Sequence, residues 1–268
     1  MKNVKKLLSL LCAGILAAGL FTGCTSKEAI ASAATNPRID DIKKNGKLVI
    51  ATANCKPFGY LDEKTKEVVG YDIDIAQKIA DKLGVPLKVK SMESSELMHA
   101  IMNGEADLAI SALYIPLGNK KTVDYSDSYL KSAQIIVTDK NSSINASKDL
   151  AGKKVGVKYG ESGAAAVQDL IDKGEYIQLV TYNSNEEMLA DVESGKLDAG
   201  VNDLFYQLQY NSTHPSLKIH DEVLREEQLG IVVRKGDTNL LKVINEVLKE
   251  MKDSGEADNL YNKWIQGN

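Results

Sequence analysis

Apolar residues recur at helical spacing across Tyr71–Leu83, where Ile75, Ile79 and Leu83 lie four apart. Asp72 and Asp74 fall in the first turn, where the helix dipole favours negative charge. Gly84 stops this predicted helix, and Pro86 opens a strand over 87–90. The apolar run 47–51 precedes it as a strand. Ser94 or Ser95 stands where a cap is needed for a helix ending at Gly104, and 107–110 forms the next strand. This alternation predicts a parallel sheet with helices on both faces. A second set begins with the strand 132–137. It continues with a strand at Lys154–Lys158, a helix over about 162–173, a strand at 177–181 and a helix over about 185–194. Asp203 then opens a helix, 229–233 reads as a strand, and 239–251 is amphipathic. A last helix carries Leu260, Tyr261 and Trp264.

The pattern repeats itself. Leu97-Met98-His99-Ala100-Ile101-Met102-Asn103-Gly104-Glu105-Ala106-Asp107-Leu108-Ala109-Ile110 is matched about 90 residues later by Met188-Leu189-Ala190-Asp191-Val192-Glu193-Ser194-Gly195-Lys196-Leu197-Asp198-Ala199-Gly200-Val201. Each copy reads as a helix ended by Gly, two linking residues, an Asp and a short apolar strand. An earlier pair keeps the same order: Asp41-Ile42-Lys43-Lys44-Asn45-Gly46-Lys47-Leu48-Val49-Ile50 resembles Asp149-Leu150-Ala151-Gly152-Lys153-Lys154-Val155-Gly156-Val157. Two α/β units of one design imply two lobes, and the cleft between lobes is where a small molecule binds.

The N-terminal residues 1–23 read as a signal peptide. Lys2, Lys5 and Lys6 give a basic start, and 7–20 is uncharged and apolar but too short and wrongly flanked for a spanning helix. Phe21-Thr22-Gly23-Cys24 resembles a lipobox, which implies cleavage before Cys24 and lipidation of its sulfur. Several acyl chains, at about 0.8 kcal/mol per buried methylene, anchor a protein stably. The small, polar stretch 24–35 reads as a lipid-anchored tether. Loss of Cys12 with the signal leaves Cys24 and Cys55, so no intramolecular disulfide is expected. The mature chain carries 30 basic against 37 acidic residues, a net charge near −7, which argues against nucleic acid as a partner. His99, His214 and His220 are scattered and suggest no metal site.

Further motifs carry a family resemblance. They are Pro57-Phe58-Gly59-Tyr60, Gly70-Tyr71-Asp72-Ile73-Asp74-Ile75-Ala76, Gly104-Glu105-Ala106-Asp107 and Val123-Asp124-Tyr125-Ser126-Asp127-Ser128-Tyr129. Asp149-Leu150-Ala151-Gly152-Lys153, Lys196-Leu197-Asp198-Ala199 with Asp203, and Lys263-Trp264 follow in order. Over about residues 39–265 the chain resembles the extracellular solute-binding proteins, family 3, of polar amino-acid ABC importers. The resemblance implies a two-lobed α/β fold of the type II periplasmic-binding-protein kind, each lobe a sheet flanked by helices, joined by two hinge crossings. Lobe 1 is expected over 36–130 and 229–268, lobe 2 over 131–228, with hinges at 129–132 and 228–230.

The resemblance also assigns a site. Relatives hold a ligand carboxylate with an Arg where this chain has Asn119, and Asn lacks the planar fork that matches a carboxylate. A buried carboxylate without its partner costs about 3–5 kcal/mol. Lys120 or Lys121 is the alternative partner. In lobe 2, Gly160-Glu161-Ser162-Gly163 takes the place of a Gly-Thr-Thr-like turn at a helix start. There Ser162 keeps a hydroxyl, and Glu161 adds negative charge unless it turns to solvent. Asp203 matches the position that pairs with a ligand ammonium, and it also suits a helix N-cap. Cys55 stands where an aromatic is common and reads as pocket wall. Ser111 and Tyr114 lie at a strand end that offers hydroxyls to ligand, with Tyr114 either a contact or a rim residue. Phe58 joins the site as a residue packed beneath it.

The missing Arg and the two carboxylates favour a cation over a simple zwitterionic amino acid. The implied protein is a monomeric lipoprotein on the extracytoplasmic face of the cell membrane. It closes its lobes on a small amino-acid-like or cationic nitrogenous solute and delivers it to ABC permease subunits, with no catalysis, cofactor or metal. Two alternatives use the same fold. An exported lyase of the cyclohexadienyl dehydratase type needs a carboxylated substrate, which Asn119 disfavours. A ligand-sensing receptor domain is disfavoured by the chain ending at Asn268 without a second span or signalling domain.

Overall fold

Helix α1 (Pro37–Asn45) leads into strand β1 (Leu48–Thr52). A small hairpin of β2 (Tyr60–Leu61) and β3 (Val68–Val69) precedes α2 (Tyr71–Leu83) and β4 (Leu87–Ser91). Helix α3 (Leu97–Met102), β5 (Leu108–Ala109) and β6 (Val123–Tyr125) complete the first passage. The chain crosses to a second sheet through β7 (Leu130–Asp139) and continues with β8 (Lys154–Lys158), α4 (Ser162–Asp172) and β9 (Gln178–Tyr182). Then come α5 (Asn185–Glu193), β10 (Ala199–Asp203), α6 (Leu204–Asn211) and β11 (Leu217–Leu229). It returns with β12 (Val232–Arg234) and ends in α7 (Thr238–Asp253), α8 (Glu256–Tyr261) and a π turn, Asn262–Gln266. This computed structural model describes residues 37–116 and 122–266, all within the unit Asn36–Asn268.

The two sheets share one plan, with orders β4-β1-β5-β12-β6 and β9-β8-β10-β7-β11. Neither is purely parallel, as the strand–helix alternation alone predicts. Strand β12 runs against β5 and β6, and β7 runs against β10 and β11. The reason lies in the crossings. The parallel strands point their C-terminal ends at the cleft, and β7 and β12 enter each sheet from that side, so they run the opposite way.

The repeated motif forms the same joint in both sheets. Gly104 and Gly195 end their helices at φ +74° and +76°, a left-handed turn that disfavours a side chain. The backbone N–H of Asp107 then donates to Val49 O at 2.7 Å, while its carboxylate accepts the Val49 N–H at 2.7 Å. Asp198 does the same to Lys154, at 3.0 and 2.8 Å. Each Asp thus pins a strand to its parallel neighbour, and a hydrogen bond to a charged group contributes about 1.5–3 kcal/mol.

Both faces of each sheet are covered, which is why the strands read as continuous apolar runs. Leu48 and Ile50 point to the core under α2 and α7, whereas Ala51 points to the core under α3. In the second sheet Ile136 faces α4, and Ile135 and Val137 face α5. The Lys263-Trp264 motif meets the Asp72-Ile73-Asp74 motif directly: Lys263 Nζ and Trp264 Nε1 both donate to Asp74 at 2.7 Å.

Two local expectations change, and one strand has no counterpart in the sequence reading. Neither Ser94 nor Ser95 caps α3: Ser94–Glu96 forms a 3-10 turn in which Glu96 reaches back to accept the Glu93 N–H, and Glu96 itself precedes α3 without a side-chain cap. The strand expected over 229–233 is split: Leu229 ends β11, and Gly230 turns its N–H to Leu113 O at 2.9 Å before β12 starts. The long strand β11 carries no apolar run, since it is an edge strand with irregular register beside β7 and its sequence is largely polar.

Candidate functional site

A cavity of about 580 Å³ lies between the two sheets, at the C-terminal ends of their parallel strands. Such a switch between sheet ends is the usual ligand position in α/β folds. Its wall brings together Cys55, Phe58, Ser111 and Tyr114 from the first sheet's side with Glu161, Ser162 and Asp203 from the second's. Asn119 lies outside the described residues, as do Lys120, Lys121 and Cys24. Another cavity, about 460 Å³, opens between α2, α7, α8 and the crossing strands. Its wall is mainly apolar, with Ile75, Leu248 and Met251 among its residues. The cleft, where polar groups converge from both sides, is therefore the candidate site.

Asp203 is the hub. Its Oδ1 accepts the backbone N–H groups of Phe205 and Tyr206 at 2.9 and 3.0 Å, so it caps α6. Its Oδ2 accepts the hydroxyl of Tyr114 at 2.6 Å, from across the cleft, and that of Ser132 on β7. The Tyr114 oxygen also accepts from Gln134 Nε2 at 3.2 Å. Burial, with Asp203 beside it, raises the Tyr114 hydroxyl well above the usual phenol range, so it stays a donor. Tyr114 is not a rim residue. Its backbone bridges Leu229, and Ile115 N–H donates to Gln228 O at 2.7 Å, which fixes it at the cleft floor beside the returning strand.

Glu161 is the residue before α4, but its side chain makes no cap. The carboxylate pairs instead with Lys158 Nζ at 2.8 Å, three residues back at the end of β8, and is half exposed. Its charge is thereby offset, and the cleft is less negative than the sequence suggests. Ser162 opens α4, whose first N–H groups have no partner within the helix. Tyr206, three residues past Asp203, lines the same wall and donates to Glu186.

On the opposite wall, Ser111 Oγ accepts the Ala53 N–H at 3.0 Å and holds the end of β1. Burial, reinforced by Asp72 and Asp203, pushes the Cys55 thiol up to about 12, so it is an unreactive wall group. Phe58 is 2% exposed and packs edge-on against Phe205 of α6 at 5.3 Å. This contact crosses the cleft and is worth about 0.5–1.5 kcal/mol beyond its area. Ala112 sits at φ +48°, and its N–H is held by the fully buried Asp72 at 2.8 Å.

Several wall residues escape a reading of the sequence. Asn185, 7% exposed, opens α5 with its Oδ1 unpartnered among the described residues. Lys158 and Tyr206 had local signals: one ends a strand just before the Gly160 turn, and the other lies one helical turn past Asp203. Ser132 and Gln134, which bond to Asp203 and Tyr114 behind the wall, had none, since only the β7–β10 register, with Gln134 opposite Asp203, brings them there.

Among the described residues no three His, Cys, Asp or Glu side chains converge as metal ligands do. None of the helices described is long and apolar enough to cross a membrane.

Known proteins resemble the whole arrangement. The ABC transporter glutamine-binding protein GlnH of Bacillus subtilis is 30% identical over 98% of each chain. The arginine-binding extracellular protein ArtP of the same organism is 32% identical over 92% of this chain and 96% of its own. A solved structure of an ancestral arginine-binding protein bound to arginine is 38% identical, covering 82% of this chain and 98% of its own, with a TM-score of 0.67. The family model for bacterial extracellular solute-binding proteins, family 3, matches residues 48–267, and the chain belongs to that family.

Proposed function

We propose that this protein is the solute-capturing component of an ABC importer, and that its solute is amino-acid-like or cationic, with at least one protonated nitrogen. One observation carries the reading: a cavity walled by both sheets, with the carboxylate of Asp203 at its floor. A charge-assisted hydrogen bond to a carboxylate is about twice as strong as a neutral one, so Asp203 favours a cationic nitrogen. The names of the relatives, which bind glutamine and arginine, support the same class.

Capture proceeds by closure. Lobe 1 (36–130 and 229–268) and lobe 2 (131–228) rotate about the crossings at 129–132 and 228–230. Two antiparallel strands, with Leu130 opposite Leu229 and Lys131 opposite Gln228, are well suited to such a hinge. Solute contacts from both lobes stabilise the closed state, and the permease reads that state. The protein works on the extracytoplasmic face, held by lipid on Cys24 through the tether 24–35, and performs no chemistry.

The deciding experiment is a melting-shift screen over amino acids, amines, polyamines and quaternary ammonium compounds, followed by calorimetry. A solute at 100 times its Kd adds about 2.7 kcal/mol of stability. The reading fails if no nitrogenous solute shifts the transition.

A further inference from the structure

We propose that Tyr114 is a built-in competitor for the solute's protonated nitrogen, and a latch between the lobes. The inference rests on the capture function above and deepens it. A carboxylate offers about four lone-pair sites. Asp203 has filled them with protein donors: two α6 N–H groups, Ser132 and Tyr114.

Three of those donors move with Asp203. The N–H groups belong to the helix it caps, and Ser132 lies on β7, which pairs with β10 up to Gln134 opposite Asp203. Tyr114 alone comes from the first sheet's side, after β5. A solute nitrogen that pairs with Asp203 must displace a donor, and Tyr114 is the one that can leave without unravelling a helix cap. Its oxygen keeps a donor in Gln134 Nε2, which reaches it at 3.2 Å, while its own O–H has to turn to another acceptor in the open cleft.

The same contact joins the lobes. Together with the Phe58–Phe205 edge contact, it lets the protein's own groups hold the cleft shut. Tyr114 therefore sets two quantities at once: the resting balance between open and closed forms, and the affinity for an ammonium-type solute.

Tyr114→Phe removes the competing hydroxyl and keeps the ring. Two measurements test the proposal. Small-angle scattering on the solute-free protein needs no knowledge of the solute: the variant is expected to have a larger radius of gyration than wild type, and equal radii would overturn the latch. Calorimetry with the protonated-nitrogen panel reads the competition. The variant is expected to bind about tenfold or more tightly, since a hydrogen bond to a charged partner no longer has to be broken. Equal or weaker binding by the variant would overturn the competition. If neither protein binds any solute in the panel, the capture reading itself fails and the competition falls with it. If wild type binds and the variant gains nothing, only the Tyr114 assignment is lost. Melting of both proteins without solute identifies a variant that fails to fold. In that case Tyr114→Leu, which has no hydrogen-bonding group to offer Asp203, is measured in its place.

Discussion

Replacing Asp72 by Asn tests how the fold meets the cost of a carboxylate buried under the cleft. Asp72 is fully buried in the first turn of α2. Its Oδ2 accepts the Ala112 N–H at 2.8 Å, and its Oδ1 has no partner among the described residues. Burial raises its pKa to about 7 from an ordinary 3.8, against the lowering effect of the Ala112 bond. Below about pH 4 the group is protonated in both the folded and unfolded chain, and no penalty arises. Between about pH 4 and 7 the unfolded chain releases a proton that the folded one keeps, so stability falls as pH rises, by up to about 1.4 kcal/mol per unit. Above pH 7 the loss is complete, at roughly 4 kcal/mol. Asparagine keeps the shape and the acceptor for Ala112, cannot ionise, and can still meet the hydroxyl of Tyr129 buried beside it. Asp72→Asn is therefore expected to match wild type within about 1 kcal/mol near pH 4.5 and to exceed it by about 2–4 kcal/mol near pH 8. Urea titrations at several pH values measure the gap. A gap that does not widen between pH 4.5 and 8, or a variant less stable than wild type at pH 8, would refute the reasoning.

Asp203→Ala removes the cleft carboxylate and the α6 cap together. It is expected to weaken solute binding at least tenfold by calorimetry and to cost about 1 kcal/mol of stability. Sub-micromolar binding that survives unchanged would show that Asp203 does not touch the solute. Asp198→Ala breaks the joint between β10 and β8 and, the bond being solvent-exposed, is expected to lower stability by about 0.5–1.5 kcal/mol in urea, with solute affinity per folded molecule unchanged. A loss below about 0.5 kcal/mol would mean that the Lys154 amide finds another acceptor. Cys24→Ser is expected to shift the protein from the membrane fraction to the medium. Mass spectrometry finding an unmodified Cys24 within an intact N-terminus would end the anchor proposal.

The motifs that carry the family resemblance prove to be mostly joints of the scaffold. Asp107 and Asp198 pin strands, and Asp74 gathers Lys263 and Trp264. Asp124 accepts from the Gly236 N–H at 3.0 Å, and Ser126 Oγ from the Ile231 N–H at 2.9 Å, so Val123-Asp124-Tyr125-Ser126 fastens the return of the chain. Such joints need a given residue type at a given spacing, and that makes them legible in the sequence.

The sequence by itself determined what depends on near neighbours. Helical spacing, Gly at the helix ends and continuous apolar runs located most of the elements, and the ordered repeat implied two sheets and a cleft. It also singled out seven side chains that the fold places on one cavity wall. What it could not decide are pairings between residues distant in the chain. Whether Asp203 is free or occupied depends on Tyr114, 89 positions away. Glu161 stays on the cleft wall with its charge offset by Lys158, and that pairing depends on dihedral angles of the turn before α4 that residue type leaves open. The polar strand β11 exists because β7 offers it a ladder of backbone partners, and backbone hydrogen bonds carry no signature in the side chains. Elements follow from local preference, whereas the charge and openness of the site follow from which distant groups meet, and only the tertiary structure sets that.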